Sequence, residues 1–172
     1  MQTDWRLSEF VSTEKDWQSF TRHLASVKML SHATRNGEPK PDCFYLGITV
    51  AEAVVGHISF RKQPLMIPAS YLCGNEEHPL TRQDGDTLYE AFVQTFAVDE
   101  AYRRSGYGRI LQEAALQKAG ELGCYQMRSW SSADREANYA LKISLGFAVL
   151  PALYPMPGGA PISGVYFVKR IE

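Results

Sequence analysis

Two glycines flanking a tyrosine, Gly106 and Gly108, sit between a strand-like run and a helix-like run, and no other segment constrains the fold as much. Leu88 to Val98 is rich in aromatic and β-branched residues and lacks Pro and Gly, which suits a central strand. After the turn Arg103-Arg104-Ser105-Gly106-Tyr107-Gly108, residues Ile110, Leu111, Ala114, Ala115, Ala119 and Leu122 mark one face of a helix. Gly123 stands where a left-handed cap would end that helix. Glycine admits positive φ and lets the backbone approach a ligand closely. Successive N–H groups in such a turn can converge on one anion. A helix opening near Gly108 would add free N–H groups and the positive end of its dipole. The arrangement suits a diphosphate.

Two familiar nucleotide-binding patterns fail on spacing. Leu111 occupies the place of the third glycine of a dinucleotide fingerprint, and no Gly-Lys-Ser/Thr ending is present. Charge limits the ligand further. The chain of 172 residues has a formal net charge of −1, which gives no field for non-specific nucleic-acid or membrane binding. Arg103, Arg104 and Arg109 make a basic spot of the scale of one polyphosphate.

The rest of the chain alternates strand and helix signals. Trp5 to Val11 reads as a first strand. Thr13 and Asp16 form a capping-box pattern before Trp17, Phe20, Leu24 and Val27, which recur at helical spacing. Residues 31–41 read as a loop. Cys43 to Val50 and Val54 to Phe60 read as a hairpin joined by Ala51-Glu52-Ala53. Residues 61–86 form a long irregular segment, either a binding loop or a surface insertion. Cys124 to Ser131 is a strand. Ser132 or Asp134 caps a helix bearing Ala137, Leu141 and Leu145, ended by Gly146. Phe147 to Leu150 is a short strand, residues 151–164 a loop, and Val165 starts a last strand. The order β-α, ββ, β-α-β-α-β-β predicts one mixed α/β domain over residues 1–172.

A chain of this length buries roughly 70% of its unfolded surface and needs no metal or disulfide to fold. Cys43, Cys73 and Cys124 form no Cys-x-x-Cys pair, and the four histidines are scattered, so no metal site is expected. Reduced thiols, the lack of a leader-like N-terminus and the lack of an apolar run near about 20 residues lead to a cytoplasmic expectation.

Arg103, Gly106 and Gly108 match the Arg/Gln-x-x-Gly-x-Gly/Ala pattern of the GNAT superfamily, which lies between its fourth strand and third helix. Leu145-Gly146-Phe147 resembles the ending of the family's fourth helix, and Val54 to Ile58 its third strand. The resemblance covers roughly residues 42–60 and 88–150. It implies a mostly antiparallel sheet of six to seven strands with flanking helices, whose fourth and fifth strands splay apart. It also implies acetyl-CoA, or another acyl-CoA, as coenzyme and an amine as acceptor, with a homodimer common in the family.

The same resemblance assigns roles. The N–H groups of Arg103, Arg104, Ser105, Gly106, Tyr107 and Gly108 would bind the diphosphate, with Arg109 close by. Phe96, Ala97 and Val98 would line the pantetheine arm through their backbone, the Val98 N–H stabilising the oxyanion. Glu90 is the expected base, although Phe92 occupies the position most often acidic in the family; a solvated strand-end carboxylate is the alternative. The family's tyrosine acid falls at Lys142, which is instead expected beside the cofactor, and Tyr139 lies one turn earlier as a substitute. Arg135 stands where the family tends to place an asparagine, so Asn138 is expected to take that cofactor contact. The loops 61–87 and 151–164, with Tyr71, Glu76, Glu77, Asp84, Asp86 and Tyr154, would shape the acceptor pocket. The implied activity is acetyl transfer to a primary amine by direct attack in a ternary complex. A non-catalytic acyl-CoA-binding or sensing domain is the alternative.

Overall fold

The computed structural model describes residues 4–12, 16–67, 76–154 and 158–171. The expected capping residue Thr13, and Tyr71 and Cys73, lie outside these. The first strand is β1 (Trp5–Glu9), followed by helix α1 (Asp16–Ser26). On α1 the spacing of Trp17, Phe20 and Leu24 buries one face, and Phe20 and Leu24 are wholly enclosed. Full burial of such side chains is worth about 1.5–3 kcal/mol each.

The segment expected as a loop carries structure. A short helix α2 (Leu30–Ala33) leads into strands β2 (Thr34–Arg35) and β3 (Glu38–Pro39). Asn36 and Gly37 both have positive φ, at 55° and 87°. Asn-Gly is the preferred pair for the mirror-image hairpin turn, so the signal was present in the sequence. The Trp17 indole N–H donates to the Gly37 carbonyl at 3.0 Å and ties this hairpin to α1.

Strands β4 (Cys43–Val50) and β5 (Ala53–Pro64) form the expected hairpin, and β5 runs four residues past Phe60. Beyond it lie β6 (Met66–Ile67), β7 (His78–Pro79) and the long strand β8 (Tyr89–Val98). A single helical turn at Glu100–Tyr102 precedes α3 (Tyr107–Glu121). Gly123, at φ 73°, follows α3 as the sequence leads one to expect. Then come β9 (Gln126–Ser132), α4 (Glu136–Ser144), β10 (Ala148–Tyr154) and β11 (Ile162–Arg170). Arg135, not Ser132 or Asp134, occupies the cap position of α4 and makes no side-chain capping bond; the Ser132 hydroxyl turns to Asp134 instead. Gly146, at φ 78°, ends the helix. β10 and β11 extend into the expected loop. Pro151 fits there because β10 is an edge strand, where a missing N–H costs no ladder bond.

Seven strands form one sheet in the order β1-β4-β5-β8-β9-β11-β10. Every neighbour is antiparallel except β8 and β9. The core has two parts. Ile58, Phe60, Ala91, Met127 and Phe167 pack with Leu111, Ala115 and Ala119 of α3. On the opposite face, Tyr45 and Val54 pack with Trp17, Phe20 and Leu24 of α1.

Gly164 on β11 shows how tightly the far half of the sheet is built. A Cβ there would come within 2.3 Å of the Ser131 carbonyl and 2.7 Å of the Trp130 ring, which lies across it. Neither neighbour can withdraw without parting β9 from β11. Gly164→Ala is expected to destabilise the fold by about 1–3 kcal/mol, the usual cost of overpacking, as read from urea denaturation.

Candidate functional site

The site is organised by what β8 does on its two sides. Toward β9 it pairs only over Glu90–Phe92 against Gln126–Arg128. Past that point the two strands part and leave a V-shaped opening between Val93–Val98 and Ser129–Ser132. Toward β5 the register shifts between Ser59 and Phe60, which face Thr95 and Val93, so Gln94 is the extra residue of a bulge. The Asp99 N–H bonds the Val55 carbonyl at 2.8 Å. Strand alternation then turns the backbone groups of Phe96 and Val98 into the V, and those of Ala97 toward β5. Of the three residues expected to line a coenzyme arm, Phe96 and Val98 turn their backbone groups to the V and Ala97 turns its own to β5.

At the mouth of the V the turn 103–108 opens α3. Arg104 and Gly106 have φ of 67° and 84°. The Arg103 N–H bonds the Glu100 carbonyl, and the Arg109 and Ile110 N–H groups bond Gly106. Among the described residues, the N–H groups of Arg104, Ser105, Gly106, Tyr107 and Gly108 find no acceptor. Free amides in succession at a helix start are the arrangement that suits an anion. The two glycines serve different ends. A Cβ on Gly106 would meet nothing within 4 Å, so its value is its positive φ and its open side. A Cβ on Gly108 would press on Leu141 at 3.3 Å and Phe96 at 3.4 Å, so its value is the close approach of α3 to α4 and β8.

The side chains of the turn divide. The Arg103 Nε donates to the Val98 carbonyl at 3.3 Å. Arg109 bonds the Ser144 hydroxyl at 2.9 Å and pairs with Glu113 at 3.6 Å, bracing α4. Tyr107 is buried against Trp5 and Tyr102, leaving only its amide for a ligand. Arg104 and Ser105 are exposed.

α4 lies across the α3 side of the V, with Leu141 against Gly108 and Tyr139 edge-on to Phe167 at 5.0 Å. Asn138 Oδ1 and the hydroxyl of Ser129, a residue only 4% exposed, are buried with no hydrogen-bond partner. Unpaired buried polar atoms are costly and call for an occupant. Asn138 was expected from the sequence. Ser129 was not, because no local pattern in the sequence marks its hydroxyl as buried without a partner.

Two expected residues are placed otherwise. Lys142 does not face the V. It is 1% exposed, bonds Gln112 Oε1 at 2.7 Å and sits 4.3 Å over the Phe147 ring, and burial pushes its pKa down to about 7. Glu90 lies wholly buried on the α1 face. Its carboxylate accepts from Gln63 at 2.8 Å, Gln126 at 3.1 Å and Arg128 at 2.9 and 2.5 Å. Burial alone would lower the Arg128 pKa, but its hydrogen bonds and charge contact with Glu90 outweigh that and raise it. Arg128 in turn is sandwiched between Phe92 and Tyr166, each at 4.8 Å. Trp130 and Tyr154 pack against each other with their rings tilted by 45° and their centroids 4.8 Å apart. Of the expected acceptor-pocket residues, Tyr154 joins this aromatic row, while Glu76, Glu77, Asp84 and Asp86 are exposed. Two surface depressions of about 560 and 540 Å³ lie elsewhere, one around Arg35 and Lys40 and one around Arg82 and Asp86; of the groups named above, Asp86 alone lines either.

On the α1 face a row of polar side chains crosses the interior. His23 Nδ1 lies 3.5 Å from the Asp99 carboxylate, and His23 Nε2 is 2.9 Å from His57 Nδ1. His57 Nε2 is 3.1 Å from the Thr95 hydroxyl, which is 2.6 Å from that of Ser59. Burial, with His23 nearby, pushes the His57 pKa from 6.5 down to about 3. Burial also lowers that of His23, partly opposed by Asp99.

These shifts set two expectations. The unfolded chain takes up protons near pH 6.5 that folded His57 refuses until near 3. Stability is therefore complete above about 6.5 and lost as pH falls toward 3. The urea midpoint should decline through that window, and His57→Gln should flatten the decline. Lys142 sits beside Gln112, whose Nε2 is itself unpaired. Replacing both by apolar residues of similar size (K142M/Q112L) should raise stability at pH 7 by about 1–3 kcal/mol, the cost of a buried polar group left unsatisfied, measurable by thermal denaturation.

The family model described as the acetyltransferase (GNAT) family matches residues 4–147. Among solved structures, NAA60 of Arabidopsis thaliana in complex with acetyl-CoA is similar to this chain at 13% identity and a TM-score of 0.70, covering 98% of this chain and 99% of that one. The same protein in complex with a bisubstrate analogue gives 13% and 0.68, with 98% and 100% covered. The ribosomal-protein-S18-alanine N-acetyltransferase of Escherichia coli gives 17% and 0.61, with 98% and 94% covered. No curated protein matches the chain by sequence.

Proposed function

The chain belongs to the acetyltransferase (GNAT) family, and on that premise we propose that it moves an acetyl group from acetyl-CoA to a primary amine of a small molecule or peptide. The observation that carries this reading is the set of five unpaired amides, Arg104 to Gly108, at the mouth of the V between β8 and β9. A diphosphate would meet those N–H groups and the positive end of α3. A pantetheine arm in the V would reach the inward-facing backbone of Phe96 and Val98 on one side. On the other it would reach the unpaired Ser129 hydroxyl and Asn138 amide oxygen. The residues present thus fit the coenzyme, which supplies an activated acyl carbon as a thioester. The Val98 N–H is the donor we assign to the developing oxyanion.

The acceptor approaches from the α1 face. There Phe92, Tyr166, Trp130 and Tyr154 offer ring faces, which suit a protonated amine on its way in. The Arg128 guanidinium between two of those rings is neutralised by Glu90 and repels such an amine little. Glu90 serves this site by holding Arg128 and the paired ends of β8 and β9, since both of its oxygens are engaged. That same engagement favours the second reading, an acyl-CoA-binding protein without turnover.

Calorimetric titration with acetyl-CoA, followed by thiol release from a panel of amines, separates the two. Binding with release of free thiol supports transfer; binding without release from any amine supports the second reading. Gly106→Trp should weaken acetyl-CoA binding by about 100-fold or more, because its side chain would occupy the space over the amide cradle. Its positive φ costs only about 1–2 kcal/mol of stability in a non-glycine residue. Unchanged affinity in that variant would remove the cradle from the coenzyme site.

A further inference from the structure

We propose that Thr95, His57, His23 and Asp99 form a proton relay, which takes the proton released by the attacking amine at Thr95 and carries it to solvent at Asp99. The inference rests on the acyl-transfer reading above. Four observations carry it.

The first is continuity. The steps from carboxylate to His23, His23 to His57 and His57 to Thr95 are 3.5, 2.9 and 3.1 Å, and they join the end of β8, α1, β5 and the middle of β8. The second is direction. The Asp99 carboxylate stands 3.5 Å from His23 Nδ1, and its charge favours the tautomer that carries the proton there, which leaves His23 Nε2 bare to accept from His57 Nδ1. His57 Nε2 is then bare and accepts from Thr95, whose oxygen accepts from Ser59. Every link is polarised toward Asp99.

The third is placement. Thr95 follows the bulge at Gln94 on the α1 face, three residues past the last β8–β9 pair. His57 is wholly buried, His23 is 6% exposed and Thr95 5%, whereas the Asp99 side chain is 33% exposed. The row has a dry middle and a wet end. The fourth is the fate of the two side chains expected to handle protons: Glu90 is held by four donors, and Tyr139 packs edge-on to Phe167 on the other face. Burial keeps both imidazoles neutral at pH 7, the state in which one ring nitrogen accepts while the other donates. The groups facing the pair are Asp99 from the end of β8, Phe20 from α1, and Thr95 and Ser59 from the sheet; of these only Asp99 is charged.

The step balances within the reaction. As the amine nitrogen bonds the acyl carbon, its proton passes to the Thr95 oxygen, and the Thr95 proton passes to His57 Nε2. The His57 Nδ1 proton passes to His23 Nε2, and the His23 Nδ1 proton to Asp99 and water. The reverse passage restores both tautomers and returns one proton to the leaving sulfur, so no outside oxidant, reductant or base is consumed. Thr95 is the member that meets the amine, and His57, His23 and Asp99 act through it as positioning residues.

Two measurements on the full chain test the relay. The ¹⁵N shifts of the histidine rings at pH 7 should show both His23 and His57 protonated on Nδ1 and bare on Nε2; an Nε2-protonated ring at either position overturns the direction and with it the relay. In steady-state acetylation of the best amine of the panel, Thr95→Val should lower kcat by about 100-fold or more, the scale of general acid–base catalysis. Thr95→Ser should keep most of the wild-type kcat and the urea midpoint; Thr95→Val should lower the midpoint, because it strands the buried His57 Nε2 and Ser59 hydroxyl, while acetyl-CoA affinity stays near wild type in both. Wild-type kcat in Thr95→Val, or equal losses in the Val and Ser variants, overturns the relay while leaving acyl transfer standing. A wild-type chain that binds acetyl-CoA and acetylates no amine overturns both.

Discussion

Everything at this site follows from how briefly β8 and β9 stay together. Parallel pairing lasts for three residues on each strand, and at that junction the Glu90 carboxylate grips the Arg128 side chain of the neighbouring strand. Breaking a buried ion pair of this kind typically costs about 3–5 kcal/mol, because the remaining charge is left without a partner. The grip fixes where the strands join and therefore where they part. Beyond it the backbone of Phe96 and Val98 cannot be satisfied by a neighbouring strand. Main-chain polar groups away from water demand a partner, so the opening is built to be filled.

The sheet also divides the labour by face. On the α3 side lie the amide cradle, α4 and the unpaired Ser129 and Asn138. On the α1 side lie the aromatic row and the buried histidine chain. The V is the passage between the faces. A bulge at Gln94 lets β8 keep apolar residues such as Val93 and Phe96 toward α3 while presenting Phe92 and Thr95 to the other side. One strand thus serves two surfaces, at the cost of a single unpaired residue.

Legibility in the sequence tracked the range of the interactions. The glycine turn, the cap at Gly123, the end of α4 at Gly146 and the β4–β5 hairpin were readable because each depends on local backbone preference. The edge strand β10 was cut short in the sequence reading, since Pro151 reads as a strand breaker until its place at the sheet margin is known. Lys142 was misplaced for a related reason. Helical position predicts which face a side chain leaves from, but a long flexible chain such as lysine can turn inward to Gln112. Glu90 reads from the sequence as a base or a solvated carboxylate, yet it is buried among three partners from β5 and β9 that no local pattern encodes.

By itself the sequence determined the order of the main strands and helices, the glycine turn ahead of α3 and the family pattern that turn belongs to. These are set by φ preferences, hydrophobic period and short-range spacing. Tertiary structure alone decided that Glu90 is held by Arg128, that Ser129 goes unpaired and that His23 and His57 meet. The paired groups lie dozens of residues apart in the chain and Ser129 owes its state to burial, and such arrangements exist only once the sheet and its helices have closed around them.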